Sequence, residues 1–157
     1  MTVPSETSGT IDPREVSLYA GHFDALWGVA WSPDRKHLLT TTDENCLASL
    51  WDAGTGELLR TFGYPEPVED WYPFPWDASW SPDGKRILTA PSLEGVRVWE
   101  AASGKLIRAL QDLGVEAVGW GPGGSLVAST TGRAIRFWDT ETWECSAEVP
   151  LTGSPTA

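Results

Sequence analysis

Apolar and polar residues alternate with a period of two in short runs along this chain. In "LASLW" Ala48 and Leu50 point to one face, while Leu47, Ser49 and Trp51 point to the other; "VRVW" and "IRFW" repeat the alternation. Earlier, Trp27, Val29 and Trp31 alternate with Gly28 and Ala30. Such runs predict strands rather than helices. Between them lie "SPDR", "SPDG" and "GPGG", whose proline presets φ for a tight turn, and "GTGE" and "ASGK" close a second hairpin.

The runs recur. Residues 25–34 read "ALWGVAWSPD", 74–83 "FPWDASWSPD" and 114–123 "GVEAVGWGPG". Further on, "LASLWDAGTGELLRTF", "GVRVWEAASGKLIRAL" and "AIRFWDTETWECSAEV" superimpose without a gap. Trp31 to Trp51, Trp80 to Trp99 and Trp120 to Trp138 span 20, 19 and 18 residues, and the units start 49 and then 40 residues apart. Each unit predicts a four-stranded antiparallel meander, strands a to d, with a tryptophan at the end of strand c.

These units resemble the WD-repeat (WD40) family of β-propellers. The resemblance is carried by Gly21-His22, "LWGVAWSPD" and Trp51-Asp52 in the first unit, by "WSPDGKRIL" and Trp99-Glu100 in the second and by Trp138-Asp139 in the third, and it covers roughly residues 14–149. It implies an all-β fold of three four-stranded antiparallel blades. The expected organisation is a flexible segment over 1–13, an extra strand d over 14–20, repeats over 21–62, 63–110 and 111–150, and a flexible tail over 151–157. Trp31, Trp51, Trp80, Trp99, Trp120 and Trp138 occupy repeat positions and are expected to be structural.

In that family a histidine, a strand-b hydroxyl, a turn aspartate and the strand-c tryptophan form a buried polar network, which stabilises only when every member is paired. The first unit offers His22, Thr40 or Thr41, and Trp51, with Asn45 in the aspartate's place and Asp43 two positions early. The other units put Trp71 and Gln111 where His22 stands, and Leu93 and Gly132 where the aspartate should be. Blades two and three are therefore expected to rely on apolar packing.

Strand counting bears on assembly. There are four d-like segments, "REVSLYA", "ELLRTF", "KLIRAL" and "ECSAEV", for three a-b-c sets. Propellers typically need four to eight blades to close. The expectation is an open arc whose terminal faces are exposed or covered by another copy, another chain or the rest of a larger ring, so either an oligomer or a truncated fragment of a longer protein is anticipated. Trp143 replaces the turn glycines Gly56 and Gly104 and has no sequence-level explanation.

Composition narrows the chemistry. With 157 residues, a net charge of −11 and only 11 scattered Lys and Arg, the chain argues against nucleic acid and makes a basic protein or peptide the easier partner. Cys46 and Cys145 lie in no metal-ligand spacing, no secretory signal or long apolar run occurs, and a reducing cytoplasm with no membrane association is expected. No nucleophile motif, phosphate loop or metal spacing is present, "GPGG" reads as a hairpin, and Glu69-Asp70 as a solvated pair; the expectation is no enzyme, no cofactor and no metal.

The surface holds the candidate site. An insertion, Gly63–Asp70 ("GYPEPVED"), supplies Glu66, Glu69 and Asp70, and Trp71, Tyr72, Phe74 and Trp76 follow, with Trp27 as the counterpart of Trp76. Aromatic faces beside carboxylates suit a Lys, Arg or methylated ammonium group by roughly 0.5–2 kcal/mol per contact, and loops on a rigid scaffold commonly carry function. The competing reading is that these rings cover the apolar edge of a blade. The resemblance implies a non-catalytic protein-interaction scaffold, including the docking or sensor part of a larger signalling polypeptide. The alternative is a propeller binding a small ligand or carbohydrate through Trp27, Trp71 and Trp76; a third reading is a degenerate fragment with no role of its own.

Overall fold

A computed structural model describes residues 26–42, 48–63, 75–91, 95–112 and 114–151. Among them are twelve strands: β1 (Leu26–Trp31), β2 (His37–Thr42), β3 (Ala48–Asp52), β4 (Leu58–Phe62), β5 (Pro75–Trp80), β6 (Arg86–Pro91), β7 (Val96–Glu100), β8 (Leu106–Leu110), β9 (Val115–Trp120), β10 (Leu126–Thr131), β11 (Ala134–Asp139) and β12 (Cys145–Pro150). They form three antiparallel sheets in sequence order, β1 to β4, β5 to β8 and β9 to β12. Each sheet is one blade, and the inner strands β1, β5 and β9 neighbour one another in that order to make an unclosed arc.

The repeat extends to backbone irregularities. Where β3 pairs with β4, β7 with β8 and β11 with β12, the register slips at Leu50/Trp51, Val98/Trp99 and Phe137/Trp138. A bulge adds local twist at the same point of each blade. The turns repeat too. Arg35, Gly84 and Gly124 have φ of 60°, 70° and 74° after the first strand of each blade, and Gly56, Gly104 and Trp143 have 73°, 74° and 60° after the third. Arg35 and Trp143 are thus L-residues in a conformation that favours glycine.

The first strand turn is held by side chains where the sequence reads "SPD". Ser32 Oγ donates to Asp34 Oδ1 at 2.6 Å and accepts from the His37 N–H at 2.9 Å, and Ser81 does the same with Asp83 (2.6 Å) and the Arg86 N–H (2.9 Å). The acid after the strand-c tryptophan caps the outer turn. Asp52 Oδ1 accepts from the Gly54 N–H (2.9 Å) and Thr55 N–H (2.8 Å), and Asp139 Oδ1 from the Glu141 and Thr142 N–H groups (both 2.9 Å).

Two cores lie between blades rather than inside them. Leu39, Ala48, Leu50 and Phe62 of the first blade meet Ile87, Trp99 and Ala101 of the second. Leu88, Val96, Val98 and Leu110 of the second meet Val115, Val118, Val127 and Trp138 of the third. Alternation within a strand sends Ile87 to one neighbour and Leu88 to the other, so a blade needs a neighbour on each side to bury both faces. The extra strand expected at 14–20 and both terminal segments lie outside the described residues, save Leu151.

Candidate functional site

The tryptophan of each third strand anchors its blade by the same bond. Trp51 Nε1 donates to Thr40 Oγ1 at 2.8 Å, Trp99 Nε1 to Thr89 Oγ1 at 3.0 Å and Trp138 Nε1 to Ser129 Oγ at 2.9 Å. Of the two threonines the sequence offered, Thr40 is the acceptor. The expectation that blades two and three rely on apolar packing alone is corrected here. In the third blade the chain of bonds continues: Ser129 Oγ donates to Asp112 Oδ2, and Arg136 donates to Asp112 Oδ1 and, at 2.8 Å, to Glu148. The Asp112 side chain is fully buried, and Glu148, then Asp112, hold the Arg136 guanidinium still more firmly protonated than usual. Gln111, aligned with His22, is exposed; the next residue does the work. Gly95, with φ 79°, permits this, since a Cβ there would lie 2.8 Å from the Asp112 nitrogen and 2.0 Å from the Leu110 oxygen.

On β1 of the first blade, Trp27, Val29 and Trp31 are 53%, 69% and 57% exposed. Trp80 and Trp120, which match Trp31, are half-buried against the preceding blade. Trp31 differs because no described blade precedes it. Of the other expected site residues, Glu66, Glu69, Asp70, Trp71, Tyr72 and Phe74 lie outside the described residues, as does His22. Trp76 lies on β5, but its side chain is also outside them.

Two grooves follow the seams between blades. The first, about 730 Å³, is lined by Asp34, His37, Leu50, Leu59, Trp80 and Asp83 among others. The second, about 450 Å³, includes Asp83, Arg86, Trp120 and Glu141. Serine hydroxyls, then backbone N–H groups of Lys36 and Lys85, hold the Asp34 and Asp83 carboxyls below their ordinary value, so both are anionic at neutral pH. The seams close differently. At the first, Arg60 of β4 reaches across to the carbonyls of Ser103 (2.6 Å) and Ala102 (2.7 Å). At the second, Trp143 meets Trp120 edge-on at 6.2 Å, and the Arg86 guanidinium lies 5.9 Å from its ring centre. This gives the unexplained Trp143 a structural role.

Among the described residues, no group of three or more His, Cys, Asp or Glu could hold a metal, and no helix is long and apolar enough to cross a membrane.

Three stacked four-stranded antiparallel sheets in an unclosed arc are blades of a β-propeller. Residues 13–52 match the family model "WD domain, G-beta repeat". No curated protein matches the chain. Among solved structures, the chain resembles "Structure of U3-55K" (18% identity, TM-score 0.70, 82% of this chain and 40% of that one) and "Crystal structure of RRP9 WD40 repeats" (18%, 0.70, 82% and 39%). It also resembles a chain of "Kuenenia stuttgartiensis Hydrazine Synthase" (16%, 0.71, 85% and 39%), a likeness of fold alone. The chain spans about two fifths of the length of each.

Proposed function

We propose that the chain is a non-catalytic, cytoplasmic protein-interaction scaffold whose open blade face is covered by a further blade, supplied by a second copy of the chain. The exposed side chains of Val29 and Trp31 carry this reading, because their counterparts Ala78 and Trp80 in the second blade and Val118 and Trp120 in the third pack against a neighbouring blade. Full burial of an apolar side chain of this kind is worth roughly 1.5–3 kcal/mol, so an uncovered strip is a strong incentive to associate. The acidic and aromatic segment Glu66 to Phe74 is, in the same reading, the place where a basic peptide docks.

Light scattering on a size-exclusion column tests this. The unmodified chain should elute above its monomer mass at micromolar concentration, and Trp27→Ser/Val29→Lys/Trp31→Ser should shift it to the monomer. A well-folded, stable monomer of the unmodified chain would sink the proposal.

A further inference from the structure

The chain contains the same seam twice, and its first and last blades carry the two halves of a third. A seam has a rear half, from the blade before it, and a front half, from the blade after it. The rear half is Leu39, Ala48, Leu50 and Phe62 in the first seam and Leu88, Val96, Val98 and Leu110 in the second, all at most 6% exposed. The third blade carries Ala128, Ile135, Phe137 and Val149 at these positions, with Val149 49% exposed and the others half-buried. The front half is incomplete at the opposite end. Ile87 and Val127, paired in register with Trp80 and Trp120, are fully buried, whereas Leu38, paired with Trp31, is only half-buried.

Neither open half is built as a cap. A terminal repeat that stays single needs a polar outer face, and these positions keep apolar side chains. Volume is kept as well: the cross-strand pairs Leu39 with Leu50 and Leu88 with Val98 become Ala128 with Phe137, a smaller residue opposite a larger one.

We infer that the rear face of the third blade, built on Ala128, Ile135, Phe137 and Val149, docks head to tail on Val29, Trp31 and Leu38 of a second copy, and that two copies close into a six-bladed ring with two identical seams. One chain brings three blades. Two chains fall inside the four to eight blades at which propellers close, and three chains overshoot it. A head-to-tail contact gives a ring where its rotation closes and a fibre where it does not; the arc set by β1, β5 and β9 supplies the rotation. Once one seam has formed the other is intramolecular, so it adds buried apolar surface with no second loss of translational freedom. This rests on a second copy covering the first blade, and adds the surface that the copy uses.

Sedimentation equilibrium and circular dichroism on two variants test it. Val29→Lys/Trp31→Ser blocks the front half, and Phe137→Ser/Val149→Lys blocks the rear half. The unmodified chain should hold at two chains as concentration rises, and each variant alone should be a folded monomer. Their equimolar mixture should form a one-to-one complex through the seam left intact, dissociating at least tenfold more readily than the unmodified dimer because the second seam is lost. A rear variant as dimeric as the unmodified chain, or a mixture that stays monomeric, would overturn the head-to-tail contact while leaving association through the first blade standing. Growth beyond two chains would overturn the closed ring. Should the rear variant fail to fold, Val149→Lys alone, on the outer strand β12, should raise the dissociation constant at least tenfold, and an unchanged constant would overturn the rear face. A monomeric unmodified chain would remove the second copy altogether, so failure of that reading is distinct from failure of this one.

Discussion

The second and third blades use the same tryptophan bond and support it in opposite ways. In the second, Thr89 Oγ1 accepts from Trp99 in a setting of Leu39, Phe62 and Ile87, with no charged side chain joined to it among the described residues. In the third, Ser129 passes the bond to a buried carboxylate, and Arg136 neutralises that carboxylate from the rim. A neutral pair in an apolar wall loses only itself when cut. A buried charge makes its neighbours costlier to lose, because removing either leaves the carboxylate short of a partner.

The largest effect should therefore come from Arg136→Leu, which strands Asp112. We expect a loss of about 3 kcal/mol or more in urea unfolding, the usual cost of breaking a buried ion pair from one side. Replacing both partners, Arg136→Leu with Asp112→Leu, should recover most of it, since an apolar pair of similar volume carries no desolvation cost. Equal losses in the single and double variants would show that packing, not the uncompensated charge, sets the value.

How much of this was legible in the sequence follows from what each position must satisfy. Strand alternation, the turn prolines and glycines and the strand-c tryptophans obey local rules, and they marked all three blades and their open arc. The network of the third blade did not obey a column. Aligning without gaps set Gln111 against His22, whereas the structure uses Asp112, one residue on and buried, with an arginine from another strand in place of a turn aspartate. A signal was present: Arg136 and Trp138 are two apart on β11 and so share a face, and a cation beside a structural tryptophan calls for a nearby carboxylate. Trp143 was opaque for a different reason. Its ring packs on Trp120 and meets Arg86 of the preceding blade, contacts that no single repeat contains.

A smaller contrast comes from the hydroxyls themselves. Thr89→Val keeps the shape of the side chain and removes the acceptor of one indole, and should cost about 1 kcal/mol. Ser129→Ala removes the indole acceptor and the donor to Asp112 together, and should cost about 2 kcal/mol, because a buried charged acceptor loses a bond. Paired urea melts compare them directly. Equal costs would mean that Asp112 is satisfied by Arg136 alone and that the serine link to it contributes little.

The least of the differences lies in the outer turns. Asp139 caps the third blade's turn with backbone and hydroxyl donors, led by the Thr142 N–H, and these hold its carboxyl below the ordinary value of 3.8. The second blade has Glu100 there, one methylene longer, joined to the Ser103 hydroxyl instead. Glu100→Asp should give the second blade the same cap and raise the urea midpoint slightly at pH 7. The sign with pH follows from the lowered value: such a cap contributes fully above the unfolded carboxyl's pKa and is lost as pH falls through the folded one. The gain from Glu100→Asp should accordingly vanish as the pH of the melt falls through the folded-state pKa, where the new carboxylate, like Asp139, takes up its proton. A gain that persists in acid would mean that the shorter side chain helps by its backbone preference and not by accepting the turn's N–H groups.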